Sequence, residues 1–374
     1  MKSYRKDMTP EERRAYRKKK KLMRRIQVYI ELGLIAFVVF AISFLVYTKT
    51  TGKSISLASN KTEKTDAVTT EKEEKSGLKV GAKASQNDSS AEEDTTAEEE
   101  TVTSAYSAKD AASVAEISSD VVSEYGILIN NDTKEVIAGK NAHEKIIPAS
   151  MTKVMTVLVA ANNITADQLD DKVTLSHEAV DYSYAGGGST SGFVEGEEVT
   201  VKDLFYGTIL PSGGDAAAQL AMYVAGDIDT FVGMMNDELK TLGLSDTSHF
   251  TNPVGFYADD HYSTPYDIAI IMMAAMDNDI CNEVLNTKVY YSTATNINPE
   301  GIIISNWFLR RIEDKDIGGT IGGAKTGYVD ESGSCAVSTM TTEAGVEYIC
   351  CTAKSSSSWQ CINDHATIYN NYVN

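Results

Sequence analysis

The sequence contains no Cys-x-x-Cys pair and no two histidines at the spacing of metal ligands, although its 374 residues include five cysteines and five histidines. Such pairs are typical of zinc sites, so we expect no metal and no cofactor. The adjacent Cys350 and Cys351 would point to opposite faces of a strand. We interpret the cysteines as small buried apolar thiols, although an exported protein could pair some of them.

Positive charge is scarce outside the N-terminus. The chain has a net charge of −19, yet residues 1–25 contain twelve lysines and arginines against three acidic residues. The rest of the chain is therefore strongly acidic. Because nucleic-acid-binding proteins present basic surfaces, we do not expect nucleic acid as a partner.

Residues 26–47 form the long hydrophobic run of the sequence, with Glu31 as its one charged residue. Its length matches a helix that spans a bilayer, and the basic segment before it predicts a cytoplasmic N-terminus. A cleaved signal peptide is the alternative, but no small-residue cleavage pattern follows, since Thr48-Lys49-Thr50-Thr51 comes next. We predict an uncleaved single-pass anchor in the cell membrane, with everything after it extracellular.

Residues 48–115 have few large apolar side chains and many Lys, Glu, Ser, Thr, Ala and Asp. Such a composition cannot bury enough surface to offset the entropy lost on ordering, so we predict a disordered acidic linker. The folded domain is expected over residues 116–374.

The folded domain has strand patterns at both ends and helical patterns between them. A turn-rich tetrad at 131–134 separates two apolar runs, which predicts a hairpin. Residues 151–161 are apolar nearly all round, as in a buried helix. Further helices are predicted at 214–225, 229–242, 265–276 and 360–373, and strands at 320–326, 335–341 and 346–353. This order predicts an α/β or α+β domain whose two ends share one antiparallel sheet.

Ser150 and Lys153 stand one helical turn apart where the buried helix begins. The unpaired N–H groups of a helix N-terminus favour negative charge near the serine oxygen. A lysine in a desolvated pocket near a second cation has a lowered pKa and can take the hydroxyl proton. The spacing alone is weak, because it also occurs at Ser3–Lys6 and Ser76–Lys79.

Two further motifs follow in the order of penicillin-binding proteins and serine β-lactamases, Ser212-Gly213-Gly214 and Lys325-Thr326-Gly327. Taken alone, Ser212 would be interpreted as a helix N-cap and the second motif as a glycine-rich strand end. On an edge strand, Lys325 would supply positive charge, Thr326 a hydroxyl for a carboxylate, and Gly327 room for a ligand backbone.

The stretches around these motifs resemble low-molecular-mass penicillin-binding proteins that act as serine-type D-alanyl-D-alanine carboxypeptidases. They are PASMTK at 148–153, EGEEVTVKDLFYGTILPSGGDAA at 195–217, FTNPVGFYADDHYSTPYDIA at 250–269 and AKTGYVDESGSCAVS at 324–338. The resemblance covers about 124–354. It implies a β-lactamase/transpeptidase-like fold, in which helices flank an antiparallel sheet and form a second lobe.

The resemblance also implies a role for each motif residue. Ser150 would attack the terminal D-Ala-D-Ala bond of a peptidoglycan stem and form an acyl-enzyme, with Lys153 as general base. Ser212 would relay a proton to the leaving amine. Lys325 and Thr326 would hold the substrate carboxylate, and the backbone N–H groups of Ser150 and Tyr328, beside Gly327, would hold the oxyanion. β-Lactam antibiotics would be covalent inhibitors.

One departure concerns the middle motif, whose third residue is usually asparagine in the family and is Gly214 here. That asparagine is expected to contact substrate and lysine. Because of Gly214, a catalytically silent domain that binds wall peptide or a division partner remains an alternative hypothesis. A β-lactamase is the third hypothesis, but no convincing Glu-x-x-x-Asn lies between the second and third motifs. Asp259, Asp260 and His261 are interpreted as a structural turn.

Overall fold

The computed structural model describes residues 105–373. The predicted basic tail, membrane anchor and most of the linker lie outside these residues. Within residues 105–373, no helix is both long and apolar enough to cross a membrane.

The strands, in chain order, are β1 (Lys109–Glu116), β2 (Tyr125–Asn130), β3 (Glu135–Lys140), β4 (Lys172–Thr174), β5 (Glu198–Thr200), β6 (Val289–Tyr291), β7 (Ile303–Ser305), β8 (Gly319–Val329), β9 (Gly333–Thr342) and β10 (Glu347–Ser355). The helices are α1 (Thr152–Asn162), α2 (His177–Ala185), α3 (Val201–Ile209), α4 (Gly214–Ala225), α5 (Ile228–Thr241), α6 (Pro265–Asp277), α7 (Asp279–Asn286), α8 (Leu309–Ile312) and α9 (Ser358–Tyr372). Short 3-10 helices occupy Ala149–Met151 and Ala166–Asp170.

Six strands form one sheet in the order β1-β3-β2-β10-β9-β8. The pairing of β2 with β10 confirms that the two ends of the domain share a sheet. The sheet is mixed rather than wholly antiparallel, because β1 runs parallel to β3. Strands β1 and β2 lie on opposite sides of β3, so the chain between them crosses past β3.

The domain also begins earlier than predicted. β1 belongs to the sheet but lies in the stretch predicted as linker, so the predicted boundary at residue 116 falls at the end of this strand. Its sequence, KDAASVAE, is mostly exposed and has no alternation of apolar and polar residues. Its composition therefore resembles that of the linker.

Helices cover both faces of the sheet. On one face, α6 packs apolar side chains against the sheet and α1 packs on α6. Helix α4 contacts α1, and α2, α3 and α5 pack on α4. On the other face, α9 packs Ile368 and Tyr369 against Leu128 and Cys350. Cys351 belongs to the first core, so the adjacent cysteines do lie on opposite faces. All five cysteines are buried free thiols, as interpreted from the sequence.

Candidate active site

Ser150 lies in the short 3-10 helix that leads directly into α1. Two glycines allow neighbouring segments to approach it closely. A Cβ atom on Gly327 of β8 would lie 2.9 Å from the backbone nitrogen of Ser150, and one on Gly255 would lie 1.9 Å from the carbonyl oxygen of Ala149. Gly255 also has a φ of +89°, a conformation that glycine adopts without strain. These glycines bring β8 and the 250–256 loop against the serine.

Lys153 is fully buried, and its Nζ lies 2.9 Å from Ser150 Oγ. Nζ also donates a hydrogen bond to the carbonyl oxygen of Val254 at 2.7 Å. Desolvation, helped by the charge of Lys325, lowers the pKa of Lys153 well below its ordinary value. The lowered pKa favours the neutral amine, which lies at hydrogen-bond distance from the hydroxyl whose proton it would accept.

Lys325 connects the other two motifs. Its Nζ donates hydrogen bonds to Ser212 Oγ at 2.8 Å and to the carbonyl oxygen of Thr326 at 2.7 Å. Burial lowers the pKa of Lys325 to about 7. Ser212 has a φ of +65°, a left-handed conformation that costs a non-glycine residue about 1–3 kcal/mol. Strain of this kind is common at functional sites, where the surrounding contacts maintain it.

The loop that carries Val254 is organised by Asn252, a residue that the sequence analysis did not single out. Asn252 Oδ1 accepts hydrogen bonds from the backbone N–H groups of Val254, Gly255 and Phe256 at 2.7 to 3.1 Å. Asparagine before proline is a recognised turn signal, so the Asn252-Pro253 pair could have indicated this role. Asn252 thereby fixes the carbonyl group that binds Lys153.

His261 holds the same loop against α1. Its Nδ1 accepts a hydrogen bond from the Thr251 N–H at 3.0 Å, and its Nε2 lies 2.9 Å from Thr152 Oγ1. Burial lowers the pKa of His261 to about 4. A neutral, fully bonded histidine fits the predicted structural role, and Asp259 accepts a hydrogen bond from Tyr257 at the surface.

Gly214 is buried at the start of α4, against α2. A Cβ atom at this position would lie 2.5 Å from Ser183 Oγ and 3.1 Å from Val254 Cγ1. Ser183 Oγ in turn donates a hydrogen bond to the carbonyl oxygen of Ser189 at 3.2 Å, and the Gly214 N–H donates to the same oxygen at 2.7 Å. Ser183 therefore occupies the space that the Cβ atom of a larger residue at position 214 would need.

The motifs meet at an open cleft of about 910 Å³. Of the predicted site residues, Ser150, Ser212, Thr326, Gly327 and Tyr328 line it, while Lys153, Lys325 and Gly214 are buried beside it. The other lining residues are Gly187, Ser189–Gly192, Leu210, Pro211, Ile302–Ser305, Trp307 and Ser358. None of these lining residues is acidic. Within residues 105–373, no three His, Cys, Asp or Glu side chains are grouped so as to hold a metal ion.

Comparison with known proteins gives one family. The sequence model of the D-alanyl-D-alanine carboxypeptidase family, peptidase S11, matches residues 108–355. The chain is 32% identical over 234 residues to the D-alanyl-D-alanine carboxypeptidase DacF of Bacillus subtilis, covering 62% of this chain and 57% of that protein. It is 35% identical over 222 residues to the D-alanyl-D-alanine carboxypeptidase of a Streptomyces strain, covering 57% and 74% of the two chains.

Solved structures of related enzymes have the same fold. The crystal structure of the Streptomyces K15 DD-transpeptidase superposes with a TM-score of 0.59 and 30% identity, covering 67% of this chain and 97% of that one. The carboxypeptidase DacD of Francisella tularensis, at 24% identity and a TM-score of 0.58, shares the fold. The family match, the motif order and the assembled site together place the chain in the D-alanyl-D-alanine carboxypeptidase family.

Proposed function

We propose that the protein is a serine D-alanyl-D-alanine carboxypeptidase that removes the terminal D-alanine from peptidoglycan pentapeptide stems. The observation that carries this proposal is the 2.9 Å approach of a fully buried Lys153 Nζ to Ser150 Oγ at the cleft. A nucleophile beside a desolvated base is the arrangement that covalent catalysis by serine requires.

In the acylation step, Ser150 Oγ attacks the carbonyl carbon of the terminal peptide bond and its proton moves to the neutral Lys153 Nζ. The oxyanion is held by the N–H groups of Ser150 and Tyr328, and each donor of this kind is worth about 10²–10³ in rate. Ser212, hydrogen-bonded to Lys325 at 2.8 Å, relays the proton taken up by Lys153 to the leaving nitrogen as the C–N bond breaks, so that Lys153 is neutral again. D-Alanine departs and the stem remains as an ester on Ser150.

In the second step, water attacks the ester carbonyl carbon and gives a proton to Lys153, which passes it to Ser150 Oγ as the C–O bond to the serine breaks. Lys153 is again the nearest base to this oxygen. The net reaction shortens a pentapeptide stem to a tetrapeptide. β-Lactam antibiotics, whose strained amide acylates the same serine, would inhibit the enzyme.

Gly214 favours a second candidate, a domain that binds wall peptide without turning it over, because the usual asparagine side chain is missing. A β-lactam added to the full chain separates the candidates. A stable mass increase on Ser150 that disappears in Ser150→Ala supports the carboxypeptidase, and no adduct supports the silent domain. Rapid drug turnover would indicate a β-lactamase.

We propose further that residues 26–47 anchor the protein in the cell membrane, with a cytoplasmic N-terminus and an extracellular catalytic domain. The length of the apolar run and the basic residues before it support this arrangement. Protease added to intact cells lacking their wall should digest the catalytic domain. Digestion only after lysis would contradict the topology.

A further inference from the structure

The cleft is lined by hydroxyl groups around the three motifs but is apolar at one end. Six residues form this apolar end: Leu210, Pro211, Ile302, Ile303, Ile304 and Trp307. None of them acts in the proposed acylation of Ser150. Because burial of apolar surface favours binding, an apolar wall inside a cleft indicates an apolar group on the ligand.

The two segments of the apolar end meet across residues 191 and 192. A Cβ atom on Gly192 would lie 3.1 Å from Ile302 Cδ1, and a Cβ atom on Gly213 would lie 2.7 Å from the backbone nitrogen of Ser191. Residues 210–213 and residues 302–304 therefore flank the same short segment of the cleft wall.

Both segments adjoin groups that would contact the departing D-residue. Pro211 directly precedes Ser212, which would give a proton to the leaving nitrogen. After β7, Asn306 Nδ2 donates a hydrogen bond to the carbonyl oxygen of Ala324 at 2.9 Å, which fixes this segment beside β8 two residues before Thr326. The departing residue, with its amine towards Ser212 and its carboxylate towards Thr326, would therefore have the apolar end beside it.

The hairpin of β6 and β7, which supplies the isoleucines, is fixed to helix α3. The buried Asp203 accepts hydrogen bonds from the Tyr290 hydroxyl at 3.0 Å and from the Thr293 N–H at 3.1 Å. Tyr290 also stacks on Tyr206, with 3.7 Å between the ring centres, and pairs with Ile304 across the hairpin. This wall is therefore formed before a ligand binds, so that the ligand need not order it.

We propose that the apolar end receives the side chain of the departing residue, so that the enzyme also hydrolyses stems that end in larger apolar D-amino acids. The methyl group of D-alanine fills little of a cleft of about 910 Å³, whereas a D-leucine side chain reaches Ile302 and Ile303. The reaction is unchanged, because the same C–N bond breaks, water completes the new stem carboxylate, and a free D-amino acid departs. This inference rests on the proposed function.

Stems that differ only in their last residue test the inference. The full chain is given synthetic pentapeptides that end in D-alanine, D-leucine or D-asparagine, and kcat/KM is measured from the D-amino acid released. D-Leucine and D-asparagine have similar size and shape, so their comparison separates apolar contact from available space. The D-leucine stem should react at least as well as the D-alanine stem. It should exceed the D-asparagine stem by about tenfold or more, as expected for apolar contact in a pocket.

Ile303→Ser should bring the ratio of kcat/KM for the D-leucine and D-asparagine stems close to one. The Ile303 side chain is 66% exposed, so the fold should tolerate the change, and a ratio does not depend on how much of the protein is folded. Ile297→Ser is the matched control, because Ile297 is an exposed isoleucine between β6 and β7 that does not line the cleft. It should leave the ratio unchanged.

Three results would each overturn the inference: slower release of D-leucine than of D-alanine, equal rates on the D-leucine and D-asparagine stems, or a preference that Ile303→Ser leaves intact. Absence of D-alanine release by the unsubstituted chain would instead contradict the proposed function, so the two failures are distinguishable.

Discussion

Substitution of Gly214 by alanine should destabilise the protein through its contact with Ser183. The added methyl group would lie 2.5 Å from Ser183 Oγ, 3.2 Å from Ser183 Cβ and 3.1 Å from Val254 Cγ1. Overpacking of a buried position typically costs 1–3 kcal/mol, about the range that we expect. Rotation of the Ser183 hydroxyl would relieve the shortest contact but break its bond to Ser189, a loss of about 1 kcal/mol.

A double-mutant cycle measured by urea unfolding isolates this contact. Ser183→Ala removes the closest atom, so Gly214→Ala should cost less in that background, with a coupling of about 0.5–3 kcal/mol, as for residues in contact. Gly233→Ala is the control, because Gly233 lies inside α5 and a Cβ there meets no atom within 4 Å. Alanine is the better helix former, so this change should stabilise slightly. Additive effects of Gly214→Ala and Ser183→Ala on the free energy of unfolding would refute the reasoning.

Two further predictions concern the site, and a third concerns two buried histidines. The value of kcat/KM should fall above about pH 7, because Lys325, with a pKa of about 7, loses the charge that holds Ser212. A kcat/KM that stays constant from pH 6 to 9 would contradict this role of Lys325. Gly327→Ala should slow β-lactam acylation by roughly 10²-fold, because the methyl group would push β8 away from the Ser150 amide. Acylation at the unsubstituted rate would contradict a close approach of β8 to Ser150. The free energy of unfolding should fall by about 2 kcal/mol per histidine when the pH is lowered from 6.5 to 5. Burial lowers the pKa of His261 and His365 to about 4, so the unfolded chain binds more protons than the folded one in this pH range. Equal stability in urea titrations at the two pH values would contradict this prediction.

Much of the fold could be predicted where the local pattern and the burial agree. The nearly all-apolar run that became α1 is buried on every side, and the hairpin of β2 and β3 forms across the predicted turn. Helices α4, α5 and α6 begin and end within one residue of their predicted bounds. β1 was missed because its pairing to β3 gives it structure that its mostly exposed side chains do not encode.

The site, too, could be predicted from the sequence only in part. The three motifs could be identified because each is short and contiguous, and the structure brings Ser150, Lys153, Ser212 and Lys325 together. The contribution of the Val254 carbonyl could not, because a backbone oxygen about a hundred residues away leaves no residue-type signal. The same holds for Ser183, whose importance depends on the Gly214 backbone that the folded chain places beside it.

The most direct test of the central proposal is release of D-alanine from a stem pentapeptide by the full chain, with Ser150→Ala as control. We predict release by the unsubstituted chain and none by the variant, because Ser150, beside Lys153, is the proposed nucleophile. No release by a folded, unsubstituted chain would contradict a carboxypeptidase, and release that persists in the variant would contradict the assignment of Ser150.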